Sequence, residues 1–331
     1  MVLRWIVNVG LLAIPIGATV GVLMGIESHR QATGQAPLFA GGGDGEGAGG
    51  GGPSGGGGGI VSGGNNGITI SQYCQQFYGI EPQSKGVEYT LNPNQWGWTE
   101  GQPGALCLNV TTFNNHTYPT NTTAPEFSVT WQYPQGPESQ PVHAFPNIKL
   151  ESDVLPVALQ ALEHVNIIVH WTYGVGDEAA ASTDAQALSQ NLLNGNVAID
   201  MFIDSDQNNA ENSTKAKYEV MVWFADFGAA AQPIGQDKGV VSTQVLNGTT
   251  FNLFSGQNSL QQNVLTWLAS ETTESFTGDI APLITQLSAM NLADYPAESD
   301  FLGYLSFGSE AFSSNSNVTF SVPLLSIDVQ A

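Results

Sequence analysis

Positive charge is the scarcest ingredient of this chain. Its 331 residues hold 7 Lys+Arg against 29 Asp+Glu, a formal net charge of −22. A surface so poor in cations cannot neutralise a phosphate backbone, which excludes nucleic acid and argues against anionic phosphate ligands. Charged residues of either sign make up only 11% of the chain; this balance favours an uncharged ligand. Histidine is also sparse. His143, His164 and His170 are scattered, without H-x-x-x-H or H-x-H spacing, so they read as structural residues and no metal site is implied. Asp204-x-Asp206-x-Asn208 opens like a calcium loop, but the Gly and the terminal Glu are missing at their offsets. Cysteine is limited to Cys74 and Cys107. Two such residues form one disulfide in an oxidising compartment and stay free thiols in the cytosol.

Glycine, by contrast, is abundant and concentrated. Between Gly41 and Gly67, 17 of 27 residues are Gly. No Lys-Ser/Thr follows and no strand–helix pattern flanks the run, so it is a flexible linker rather than a phosphate loop. Upstream, Ile6 to Ile26 carries no charge and is close to the roughly 20 residues that span a bilayer. The run is longer than a cleaved signal's apolar region and lacks a clean small-x-small exit. It is read as a signal anchor, with a cleaved signal as the alternative. Six N-x-S/T triplets start at Asn109, Asn115, Asn121, Asn212, Asn247 and Asn317, which points the bulk of the chain to the secretory route, outside the cell or on its surface. The expected organisation is a short cytoplasmic N-terminus (1–5), the anchor (6–26), the linker (27–67) and a folded domain (68–331).

That domain reads as all-β. Short runs rich in β-branched and aromatic residues alternate with Gly, Pro, Asn and Asp clusters. Strands are expected at Val87–Leu91, Ala105–Val110, Ser128–Tyr133, Asn166–Tyr173, Val197–Ile203, Tyr218–Phe224, Val240–Leu246, Thr249–Phe254, Asn263–Ala269 and Val318–Val329. Turn signals at this spacing indicate a sandwich or jelly roll. One helix stands out: Ile280, Leu283, Ile284 and Leu287 follow the i, i+3, i+4, i+7 pattern, with Pro282 in the first turn. Leu155–Leu162 carries a second helical pattern.

Three of the strands hold carboxylates among apolar side chains. Alternation puts Tyr218, Val220, Val222 and Phe224 on one face of their strand and Glu219, Met221 and Trp223 on the other. Asp200 lies on a face with Ala198 and Phe202, and Glu310 with Gly308 and Phe312. A buried unpaired carboxylate is costly, so three such acids in a charge-poor chain call for a reason. Glycoside hydrolysis supplies one, because it needs one acid to protonate the leaving oxygen and a second to attack or activate water. Trp96, Trp98, Trp131, Trp171 and Trp223 suit sugar rings, although core packing is the commoner use of any single Trp.

Tyr218-Glu219-Val220-Met221-Val222-Trp223-Phe224, followed by Gln232-Pro233-Ile234-Gly235, resembles the nucleophile strand of glycoside hydrolase family 12. Phe307-Gly308-Ser309-Glu310-Ala311-Phe312 resembles the family's acid/base segment, and Val197-Ala198-Ile199-Asp200-Met201-Phe202 the strand with its auxiliary Asp. Asn94-Gln95-Trp96-Gly97 resembles its N-x-W-G segment, Phe145-Pro146-Asn147-Ile148 its F-P-N segment, and Phe276-Thr277-Gly278-Asp279-Ile280 the start of its helix. The blocks occur in family order over about 73–329.

The resemblance implies a concanavalin A-like jelly roll of two antiparallel sheets, with one short helix on the convex side. It implies a retaining endo-β-1,4-glucanase or xyloglucan hydrolase acting on a β-glucan; no cofactor is expected, and with no oligomer signal in the sequence a monomer is the default. Carried over, Glu219 is the nucleophile, Glu310 the acid/base, and Asp200 the partner that hydrogen-bonds the nucleophile. Asn94 and Trp96 bind a glucosyl ring, Met221, Trp223 and Pro233 line the cleft, and Trp131 offers an aromatic platform. Cys74 and Cys107 fall where the family has a disulfide. There are departures: Ser309 and Ala311 replace the usual Thr and Pro, Ser313–Ser316 replaces a glycine turn, and 134–141 is inserted. These bear on substrate preference more than on catalysis. The rival expectation is a jelly roll that binds carbohydrate without turning it over, which would have no need of both acids.

Overall fold

The structure is a computed structural model that describes residues 60–63, 68–113 and 118–331. The expected anchor at 6–26 lies outside these residues, as does Asn115. Among the described residues no helix is long and apolar enough to cross a membrane.

Two sheets carry the fold. The smaller runs in the order β1 (Ile60–Gly63), β2 (Ile68–Tyr73), β4 (Ala105–Phe113), β5 (Glu126–Gln132), β17 (Val318–Gln330), β8 (His164–Val175) and β14 (Ser275–Asp279). The larger runs β11 (Ser242–Leu246), β12 (Thr249–Gln257), β13 (Asn263–Ala269), β10 (Tyr218–Phe227), β9 (Asn194–Asp204), β15 (Phe301–Gly308), β6 (Asn147–Glu151) and β3 (Glu88–Asn92). Two short strands join it from the side: β7 (Val157–Ala158) on β15, and β16 (Ala311–Ser313) on β9. Among the described residues all strand pairings are antiparallel except β10 with β13. Those two are linked through the β11–β12 hairpin, whose Asn247-Gly248 turn has positive φ at both residues (48° and 87°), the geometry that favours Asn-Gly.

The alternation of the sequence becomes the layering of the sandwich. Val220, Val222 and Phe224 of β10, Leu305 and Phe307 of β15, and Trp267 of β13 meet Val129, Trp171, Tyr173 and Phe320 of the smaller sheet in one main core. The longest helix, α3 (Ala281–Ala289), buries Ala281, Leu283, Ile284 and Leu287 in that same core. The core-facing Trp267 Nε1 donates to Leu283 O at 3.1 Å, so α3 sits on the side of the large sheet away from Glu219.

Several boundaries differ from expectation. Ile60–Gly63, expected as linker, pairs with β2, and its Ile-Val pair suits a strand. Phe276–Asp279, expected to open the helix, is the end of β14. Leu155–Leu162 is not an α-helix but β7 followed by one 3₁₀ turn at Leu159–Ala161. Here Leu159 and Gln160 give their N–H groups to Asp300 and Glu298 carbonyls, so tertiary partners replace the i−4 acceptors that a helix needs. Two helices went unexpected: α1 (Ala185–Gln190) and α2 (Gln207–Ala210), N-capped by Asp184 and Asp206. The calcium-like triplet is thus a helix cap plus a buried Asp204 that accepts from the Lys217 amide at 2.9 Å.

Candidate active site

The outer face of the large sheet presents three transverse rows. Strand register puts Glu219 between Val264 and Phe202, with Tyr304 beyond. Two residues along, Met221 lies between Thr266 and Asp200, followed by Ser306, Lys149 and Thr90. The third row runs Leu268, Trp223, Ala198, Gly308, Asn147 and Asn92. Rows are about 6.5–7 Å apart, two residues of strand rise. Polar residues dominate the β6 and β3 end. At the centre, Ala198, Met221, Trp223, Phe254 and Leu268 form an apolar cluster separate from the main core. Glu219 and Asp200 flank this apolar floor, as the period-two reading of the strands required.

Glu310 reaches the same place by a different route. It follows β15 and sits just before β16. Its backbone N–H donates to Asn196 Oδ1 at 2.8 Å, and Asn196 Nδ2 donates to Glu310 Oε2. Asn196 is fully buried, so this doubly bonded amide fixes both the backbone and the carboxylate of Glu310. Next to it the β9–β10 register shifts by one residue after Trp223, a bulge of the kind that re-aims side chains beside active sites.

The three carboxyls are not electrostatically independent. Burial pushes Glu310 up to about 8; the negative charge of Glu219 pushes the same way and the Asn196 amide opposes both. Asp200, 7% exposed, is held well above the ordinary carboxylate range, first by burial and then by Glu219 and Glu310. Its Oδ1 has no hydrogen-bond partner among the described residues. Glu219 is also raised by burial, and here the opposing influence is Asn258, whose Nδ2 donates to Glu219 Oε2 at 2.9 Å. Asp200 is raised by both glutamates and Glu310 by Glu219, so these acids do not ionise independently of one another.

The edge of the face is built by the Asn94–Gly97 turn. Asn94 has φ +42° and its N–H donates to Asn92 Oδ1. Gln95 is buried, donating to Cys74 O and Gln75 O and accepting from Tyr133 Oη at 2.6 Å. The Cys74–Cys107 disulfide forms and ties this anchor to β4. Trp96, held between these fixed neighbours, is 41% exposed. Pro233 is buried at the start of a turn that leads to Gly235. Gly235 has φ +88°, and a Cβ there would collide with Ser255 O, so the turn is clamped onto β12 near Glu219.

Two expectations need correcting. Trp131 is not a platform: it is 1% exposed in the main core, with its indole N–H given to Tyr173 Oη at 2.6 Å. Trp171 is likewise core. Both lie on the inward face of the smaller sheet, which no sugar can reach. Asn196 and Asn258 were not anticipated. Asn196 had a signal, since it precedes Asp200 by four residues on one strand and so shares its face. Asn258, in a Gln/Asn-rich turn, had none. Of the sequon residues, Asn121, Asn247 and Asn317 are exposed, whereas Asn109 and Asn212 are half-buried.

The family model described as Glycosyl hydrolase family 12 matches residues 87–330. The chain belongs to glycosyl hydrolase family 12. As a member it is an enzyme that hydrolyses glycosidic bonds. The xyloglucan-specific endo-beta-1,4-glucanase A of Emericella nidulans is 28% identical to this family 12 hydrolase over 254 residues, covering 76% of this chain and 90% of that one. The enzyme of the same name from Aspergillus aculeatus is 28% identical over 262 residues, with 78% and 92% covered. Trichoderma harzianum endoglucanase 3 superposes with a TM-score of 0.61 at 22% identity, covering 79% of this chain and 98% of that one. A family 12 xyloglucanase from Bacillus licheniformis gives 0.57 at 14% identity, with 78% and 99% covered. These two likenesses establish the jelly-roll fold of the family 12 domain.

Proposed function

We propose that this family 12 hydrolase is a retaining endo-β-1,4-glucanase with Glu219 as nucleophile and Glu310 as acid/base. The observation that carries the assignment is the asymmetry between the two carboxyls. Each carboxylate accepts one side-chain amide hydrogen bond that favours its charged form, Glu310 from Asn196 and Glu219 from Asn258. Glu310, however, is raised by the charge of Glu219 on top of burial, to about 8, whereas burial alone raises Glu219. Environments that push two carboxyls into different protonation states are what an acid and a nucleophile need. Asp200 is raised by burial and by the charges of Glu219 and Glu310. The hydrogen bond to the nucleophile expected of it is not formed in the structure, where Asp200 Oδ1 has no partner among the described residues and Glu219 Oε2 accepts from Asn258.

In the first step Glu310 protonates the glycosidic oxygen as Glu219 attacks the anomeric carbon, giving a glycosyl-enzyme. In the second, Glu310 takes a proton from water, which displaces Glu219 and restores the original anomeric configuration. Trp96 and Asn94 bind a glucosyl ring, while Met221, Trp223 and the Pro233 turn shape the floor and wall beside the cleaved bond. The names of the relatives make xyloglucan the first substrate to assay. The sequons and the disulfide support an extracellular or cell-surface enzyme.

The test is reducing-end release from xyloglucan, mixed-linkage glucan and cellulose by the wild type, Glu219→Gln and Glu310→Gln. Each variant is expected to lose at least about 10³-fold in kcat, as for other catalytic groups that act as a unit. Azide should rescue a Glu219 variant with inverted product. Equal activity in all three proteins would sink the assignment.

A further inference from the structure

The amide that faces Glu219 is not a lone contact. Asn258 Oδ1 accepts from the backbone N–H groups of Leu260 and Gln262, each at 3.0 Å. With its oxygen so occupied, the amide can present only Nδ2 to the carboxylate. One Nδ2 hydrogen goes to Glu219 Oε2 at 2.9 Å and the other to Gln262 Oε1 at 2.8 Å. Gln262 is fixed by the same logic. It is 4% exposed, and its Nε2 donates to Ser213 O at 2.9 Å and Ala216 O at 2.8 Å, so its oxygen must turn towards Asn258. The carbonyls that start this chain precede Glu219 by only a few residues. Ala216 N–H is tied back to Asn212 O, Lys217 N–H to Asp204 Oδ2, and Asn263 N–H to Lys217 O. The polar chain leaves the foot of β10, crosses two side-chain amides, and returns to β10 at its carboxylate.

We propose that Gln262 and Asn258 are positioning residues that act in series to hold Glu219 in one rotamer and in its charged form. The assignment rests on Glu219 being the nucleophile. The groups set around Glu219 from the other elements are Phe202 and Asp200 on β9 and Glu310 beyond β15, whereas β13 offers Val264. None of these is a cation; at the foot of its own strand Lys217 turns its ammonium over the Tyr218 ring. The Asn258 amide is therefore the hydrogen-bond donor that favours ionised Glu219. The Leu260 and Gln262 N–H groups fix which end faces the carboxylate, and the Gln262 side-chain oxygen holds the second Nδ2 hydrogen and so the aim of the first.

The test compares the pH dependence of kcat/KM on xyloglucan for the wild type, Asn258→Ala, Gln262→Leu and the double variant, with Glu219→Gln as the control. Loss of a hydrogen bond to a charged group is expected to move the acidic limb up by about one pH unit in both single variants. The alkaline limb, set by Glu310, should stay in place. Because Gln262 acts through Asn258, the double variant should lose no more activity than Asn258→Ala alone. An unmoved acidic limb in Asn258→Ala overturns the proposal, as does an additive double variant. A fall in Tm with unchanged pH limbs would mark the pair as structural only and also overturns it. Failure of the underlying reading looks different: the Glu219→Gln control itself keeps activity.

Discussion

Replacing Glu310 by Gln should stabilise the protein at alkaline pH while disabling it. The carboxyl has an ordinary value of 4.5 and sits at about 8 in the fold. A group whose folded value lies above its unfolded value binds its proton more tightly when folded. Stability is then untouched below about pH 4.5, falls as pH rises through the window, and stays reduced above about pH 8. At 1.36 kcal/mol per pH unit, the upper bound of the loss is about 5 kcal/mol. Glu310 is only half-buried, and solvent relaxation lowers the expected value to about 2–3 kcal/mol. The Gln side chain is nearly isosteric, retains an oxygen for Asn196 Nδ2, and never ionises. It also relieves Asp200, which Glu310 pushes up. The assay is guanidinium unfolding of both proteins at about pH 4 and about pH 9, read as the change in midpoint at constant m. Self-repulsion from the net charge of −22 acts almost equally on both proteins and cancels in the difference. The expected result is near equality in acid and a more stable variant in base. An equal difference at both pH values would refute the electrostatic reading, and a less stable variant in base would reverse it.

Two further outcomes test the geometry. Trp131→Ala should cost about 3–5 kcal/mol of stability, as for other fully buried aromatics, with little change in KM once folded. Trp96→Ala should raise KM roughly tenfold with little change in Tm, since an exposed ring contributes mainly by stacking; calorimetry and steady-state kinetics separate the pair, and the opposite pattern would return Trp131 to the cleft. Asn196→Ala removes the donor that lowers the Glu310 carboxyl, so the alkaline limb of the pH–rate profile should move up. An alkaline limb that stays put would detach Asn196 from the acid.

Much of the site was readable because strand alternation is local. Glu219, Met221 and Trp223 share a face whatever the rest of the chain does, and so do Asp200, Ala198 and Phe202. The tryptophans were harder. Trp131 alternates on its strand just as Trp223 does, and both are large buried indoles. Which is core and which is cleft floor depends on what covers each face. The smaller sheet turns Trp131 inward to Tyr173, whereas Trp223 looks away from both sheets. The 155–162 segment failed for a related reason: its apolar spacing suits a helix, but the backbone donors go to the 298–300 carbonyls.

By itself the sequence determined an acidic, charge-poor, all-β chain, the faces of its strands, and three carboxylates set among apolar side chains, because composition and period-two alternation need no partner. Only the tertiary structure decided what each carboxylate meets. Asn258 lies 39 residues from Glu219 and Asn196 lies 114 from Glu310. Hydrogen bonds across such distances arise only when register and loop closure bring the partners together. Those contacts oppose the rise that burial by the surrounding layers imposes on both Glu219 and Glu310.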